Sequence, residues 1–227
     1  MLRPPAEGGL TVSGRPVLHL SFAFNYAVSG TAVGSYPAVN VLTPAASALL
    51  RFGLMRRTLV RPGWRARYGD AAGGLAFIIA AVRALHSLQT QAVTDPMQRA
   101  ESLMGFFYRL TLYTFARGTA ADRPEDARRR WRGVAVAACA LGTGTKEVKA
   151  TAPLLVCLYD RTFVAGSWRA AWRERGGFYG ALRAPWVLLA ARVLSPGGNR
   201  GSTVGFGVGV PRSAYPLIQF KSVNRYF

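Results

Sequence analysis

Five ionisable residues in two separated stretches have the types that could do chemistry. His86, Arg99 and Glu101 lie within "ALHSLQTQAVTDPMQRAESL" (84–103), and Lys146 and Glu147 are adjacent in "GTGTKEVKA" (142–150). Histidine and glutamate can take a proton from a hydroxyl within hydrogen-bond reach, and arginine and lysine stabilise an anionic oxygen. A plainer account stands beside this one. An Arg-x-Glu pair that opens a helix is a local ion pair or a cap, and a Lys-Glu step at an interface is a snorkelling anchor. Other chemistries are not marked. Cys139 and Cys157 fall inside apolar runs, as inert thiols do, and no cysteine and histidine cluster has metal-ligand spacing, so no metal is expected. The glycine-rich "GGNRGSTVGFGVGV" (197–210) lacks the preceding strand and the Lys-Ser/Thr helix start of a phosphate loop, and reads as a flexible loop.

The elements that must position these residues are apolar. The polar stretch 84–103 is flanked by "GGLAFIIAAVRAL" and "MGFFYRLTLYTFA", and the whole chain of 227 residues is 50% hydrophobic with mean hydropathy +0.15. Its net charge of +19, from 29 Lys+Arg against 10 Asp+Glu, implies an anionic partner, either nucleic acid or lipid. The placement of the cations along the chain decides which. Arg51, Arg56, Arg57, Arg61, Arg65 and Arg67 form one block; 85–103 holds only Arg99; Arg117, Arg123, Arg128, Arg129, Arg130 and Arg132 form another. Lys146 and Lys149 follow, and then Arg161, Arg169, Arg173 and Arg175. Heavy and light segments alternate, as insertion with cations retained on the cytoplasmic side requires. A soluble nucleic-acid binder has no reason to alternate, and no basic patch interleaved with exposed aromatics is visible, so nucleic acid is excluded as a partner.

The expected architecture is therefore all-α: a polytopic helical membrane protein with its arginine-rich loops cytoplasmic, placed in a bacterial inner membrane. Residues 1–35 form a non-cytoplasmic segment with a membrane-parallel helix, 36–194 the transmembrane helical module, and 195–227 a Gly-rich loop and a truncated final helix. Expected spans are Tyr36 to Met55, Gly73 to Leu85, Ala100 to Ala116, Trp131 to Gly142, Ala150 to Tyr159 and Phe178 to Val193. Several are shorter than the roughly 20 residues that cross a bilayer alone, and so must be buried or re-entrant. Arg51, Arg83, Arg109 and Arg183 lie in or beside apolar runs, where an unpaired charge costs roughly 2.5 to 3.5 kcal/mol on insertion scales.

Four segments resemble, in order, the C-type-fold glycosyltransferases of the transmembrane and tetratricopeptide-repeat O-mannosyltransferase family and its bacterial relatives. "RPVLHLSFAFNYAVSG" (15–30) resembles that family's membrane-parallel helix opening with Arg-Pro. "ALHSLQTQAVTDPMQRAESLMG" resembles its histidine segment ending in Arg-Ala-Glu. "GTGTKEVKATAPLLVCLYDRTF" resembles its Ser-Lys-Glu segment, apolar helix and Tyr-Asp, and "GSTVGFGVGV" its loop before a later span.

The resemblance implies a partial C-type fold that holds a polyprenyl-phosphate sugar as donor substrate and passes the sugar to a protein hydroxyl on the non-cytoplasmic side. It places Arg99, Lys146 and Glu147 at the donor phosphate, and His86 and Glu101 at the acceptor as catalytic groups. The chain departs from the pattern at Ser87, Gln91, Asp95, Pro96 and Lys149, and only Glu7 precedes Arg15 where the family has an acidic pair. The chain is thus expected to be a fragment or degenerate copy carrying part of the donor site without the C-terminal repeats. The alternative is a non-catalytic integral membrane protein with a lipid-binding or assembly role.

Overall fold

In the computed structural model, residues 16–30, 35–86, 98–145, 151–187 and Ala190 are described. All regular structure among them is helical. They belong to the compact unit Met1–Leu189, apart from Ala190, which belongs to a second unit, Ala190–Phe227.

Helix α1 (Pro16–Ser29) opens on a proline, whose fixed φ suits a first helical turn. The longest helix, α2 (Ser35–Leu59), carries Pro44 in its interior. Proline has no N–H for the carbonyl four residues earlier, that of Asn40, so the ladder is interrupted there. Helix α3 (Pro62–Tyr68) again starts on proline, and α4 (Ala72–Leu85) follows it across a bend of 91°.

Helix α5 (Arg99–Gly118) packs against both α2 and α6 (Glu125–Thr143). The α5–α6 contact is made from small side chains. Ala135, Ala138, Cys139 and Gly142 recur at helical spacing on the buried face of α6, opposite Thr111, Thr114, Phe115 and Gly118 of α5. A Cβ on Gly118 would stand 2.9 Å from Cγ of Arg132, so glycine sets how closely the helices approach. The buried hydroxyls of Thr111 and Thr114 donate back to the carbonyls of Phe107 and Leu110 at 2.8 and 2.7 Å, so their burial leaves no donor unsatisfied.

Helix α7 (Ala152–Asp160) runs into a π-helical turn at Arg161–Ala165. Gly166, at φ +72, ends that turn in the left-handed region where glycine is unstrained. Ser167 then caps α8 (Trp168–Leu182), its Oγ accepting from the amide of Ala170. Arg175 departs from helical φ/ψ inside α8, just before the flexible pair Gly176 and Gly177, and the helix kinks there.

Contacts between named residues give the helix directions. Asn40 meets Arg99, Gly53 lies against Tyr113, and Arg61 reaches Thr119, so α2 and α5 run parallel. Arg117 stacks on Trp131 and Gly118 lies against Arg132, so α6 begins where α5 ends and returns antiparallel. Thr58 bonds Tyr159 at 2.7 Å, which brings the end of α7 to the end of α2. One end of the bundle therefore gathers Arg56, Arg57, Arg61, Arg117, Arg128, Arg132, Arg161 and Arg175; the other gathers α1, the starts of α2 and α5, and the end of α6. The alternation along the sequence becomes segregation in space.

Around the core of Phe115, Val156, Tyr159, Tyr179 and Leu182 the bundle exposes a wide apolar surface. It includes Leu20, Phe24, Leu42, Leu49, Phe77, Ile78, Val82, Leu154 and Leu158. Trp64, Trp168 and Trp172 are exposed near the basic end, with Arg161 over Trp168 and Arg183 over Trp172. Among the described residues one helix, Pro37–Leu59, is long and apolar enough to cross a membrane, and the bent pair α3 and α4 satisfies the same test taken together.

Five of the six expected spans coincide with helices, with shifted ends. The arginine-rich segments, expected as loops, are largely helical. Helix α6 starts at Glu125 and not Trp131, because Glu125 and Asp126 in its first turn favour the helix dipole and Glu125 pairs with Arg128, at 2.8 Å, and with Arg132. The sixth span, Phe178 to Val193, is divided: the Ser167 cap starts a helix earlier, at Trp168, α8 ends at Leu182, and after a turn at Arg183 residues 184–187 are helical again.

Candidate functional site

Arg99 is the most deeply placed of the expected site residues that are described, at 1% exposure. As the first residue of α5 it sits at the cation-poor end, where the guanidinium donates from Nε to Oδ1 of Asn40 at 2.9 Å and lies over the ring of Phe22 at 4.4 Å. The hydrogen bond and the cation–π contact offset part of the cost of burying the guanidinium. One side chain thereby pins α1, α2 and α5 together. Glu101 is half-buried two positions further on, and side chains at that spacing leave a helix in different directions. His86 is exposed at the end of α4, with extended backbone at φ −63 and ψ 133.

Lys146 and Glu147 lie outside the described residues, but the turn that leads to them is described. Thr145 is fully buried and its Oγ1 donates to the carbonyl of Gly142 at 2.6 Å. The carbonyl of Gly144 accepts from the amide of Val17 at 3.3 Å, and a Cβ on Gly144 would strike the Val17 side chain at 2.7 Å. Val17 and Phe22 are on α1, five residues or about 7.5 Å of helix rise apart. The Gly144–Thr145 turn and Arg99 are thus fastened to the same helix.

A second polar constellation, to which sequence analysis assigned no role, lies at the basic end. Asp160 is fully buried and both its carboxylate oxygens accept from Nη1 of Arg175 at 3.1 Å, while the hydroxyl of Tyr179 donates to Oδ2. Beside it Tyr159 meets Thr58, and Arg61 lies over the Tyr159 ring while donating to Thr119 at 2.8 Å. The only sequence signal was the Tyr-Asp step in "LLVCLYDRTF"; its arginine partner lies fifteen residues later, across a turn and a kink. The cluster is closed by its own members and packs α7 to α8.

Cys139 and Cys157 are free thiols, the first buried and the second half-buried. Among the described residues no group of three or more histidine, cysteine, aspartate or glutamate side chains could hold a metal ion. Compared with protein-family models, with curated proteins and with solved structures, the chain has no match.

Proposed function

We propose that the chain is a multipass membrane module, its basic end cytoplasmic, that binds a polyprenyl-phosphate sugar at the opposite end and serves transfer of the sugar to a protein hydroxyl there. The observation that carries the membrane half is the joint segregation of cations and exposed apolar surface. A bundle in water has no reason to leave Phe77, Ile78, Val82, Leu42 and Leu154 exposed, nor to collect tryptophan and arginine at one end; a bundle in lipid has reason for both. Helices too short to cross alone, such as α7, are held by protein neighbours at their ends.

The donor half rests on the likeness of the sequence segments, and is supported by the attachment of Arg99 and the Gly144–Thr145 turn to α1. A second reading, a non-catalytic membrane protein, is favoured by the burial of Arg99 between Asn40 and Phe22, where its Nε and one face are already engaged.

Reporter fusions after Arg67, Arg130 and Arg175 are expected to read cytoplasmic, and fusions near Asp95 and Gly144 external. Finding Asp95 and Arg67 on one side would sink the topology. Transfer from a polyprenyl-phosphate mannose donor to a serine or threonine peptide, with Lys146→Ala as comparison, separates the two functional readings: donor use that Lys146→Ala does not weaken removes the first.

A further inference from the structure

Three arginines share one level of the bundle. Arg51 on α2, Arg83 on α4 and Arg109 on α5 come close enough for their charges to act on one another. The parallel register agrees for the first and last: with Asn40 beside Arg99 and Gly53 beside Tyr113, position 51 of α2 is level with positions 110 and 111 of α5, within a turn of Arg109. Like charges at such range raise one another's energy, more so in surroundings of low polarity. Among the described residues no carboxylate pairs with any of the three. Glu125 is taken by Arg128 and Arg132, and Asp160 and Glu174 by Arg175.

The surroundings suit a ligand that is anionic at one end and apolar at the other. Arg51 and Arg109 are half-buried, while Arg83 is exposed on α4, so the group opens outward past that helix. Next to it on α4 stand the exposed apolar side chains Ile79 and Val82. Gly105, one turn before Arg109, leaves room for the guanidinium: a Cβ there would stand 2.8 Å from Nη1. Arg51 is eight residues, about 12 Å, from the end of α2 at the basic face.

We propose that Arg51, Arg83 and Arg109 form a binding site for a phosphate group, carried by a lipid that enters beside α4. Guanidinium forks match phosphate oxygens, and a dianionic headgroup turns mutual repulsion into shared attraction. The site is separate from Arg99, which lies ten residues, about 15 Å, earlier on α5. It rests on the membrane reading and not on sugar transfer.

The test uses the full chain in phosphatidylcholine nanodiscs, with dioleoyl phosphatidic acid in the disc or inorganic phosphate in the buffer. Adducts are read by native mass spectrometry and stability by the thermal midpoint. Phosphatidic acid is expected to bind and raise the midpoint, and Arg51→Gln and Arg109→Gln each to weaken binding by about tenfold or more. Arg128→Gln, at a residue paired with Glu125, controls for general attraction and should leave binding unchanged. Saturation by inorganic phosphate with no added effect of the lipid keeps the site and overturns the lipid as its ligand. Binding by neither probe, or an equal loss in Arg128→Gln, overturns the site. If Arg109→Gln fails to fold, the exposed Arg83→Gln carries the same comparison. A chain that refuses nanodiscs and stays in the salt extract refutes the membrane reading, and the inorganic phosphate arm, run in buffer, then decides the site alone.

Discussion

Arginines at the basic end and arginines at mid-bundle live under opposite conditions. Arg61 donates to Thr119 and lies over Tyr159, Arg117 donates to Tyr113 and stacks on Trp131, and Arg175 grips Asp160. Arg51, Arg83 and Arg109 have one another's charges nearby and no carboxylate paired with them among the described residues. The first set holds helices together through hydrogen bonds, ring stacking and an ion pair within the protein, although the Nε groups of Arg61 and Arg117 are buried without a hydrogen-bond partner. The second set adds repulsion to the fold, which the proposed phosphate ligand would relieve. Residue type is the same in both; what differs is whether an acceptor or ring was placed within reach.

The largest expected effect in this comparison comes from breaking the best-paired arginine. Asp160→Ala leaves the guanidinium of Arg175 without its carboxylate in a buried setting, and should cost about 3 to 5 kcal/mol, read by unfolding in detergent. A loss below that of a surface substitution would show that the cluster does not hold α7 to α8. Arg99→Leu comes next. It removes the contacts to Asn40 and Phe22 and leaves a buried amide oxygen without this donor, at about 2 to 3 kcal/mol. Thr58→Val keeps shape but takes the bonding partner from the Tyr159 hydroxyl, at about 1 kcal/mol in the same assay. The smallest effect is expected at mid-bundle: Arg83→Gln removes one of three like charges and should leave stability within about 0.5 kcal/mol of the parent in ligand-free protein. A large loss there would mean that Arg83 is structural and would erase the contrast.

The same contrast shows in how legible each region is. Helix α4 was readable almost to its ends, since an apolar run between "YGDAAGG" and a polar stretch has one local interpretation. Helices α6 and α8 were not, because their first turns are charged and pattern reading treated charge as loop; the acidic first turn of α6 and the Ser167 cap of α8 carry the helix into those residues. In the candidate site the sequence pointed to Arg99, but its seat depended on Asn40, which no motif marked, and on Phe22, to which the Arg-Pro segment gave no role.

Helical class, the apolar stretches and the alternation of cations were determined by the sequence alone, because each depends on composition and spacing within a few turns of chain. Tertiary structure decided which charges meet. Whether Arg175 reaches Asp160 depends on a left-handed glycine and a kink, and whether Arg51 comes near Arg109 depends on the register between two helices separated by about forty residues of chain. Register is set by the sum of many side-chain contacts, Gly53 against Tyr113 among them, and no local pattern carries that sum.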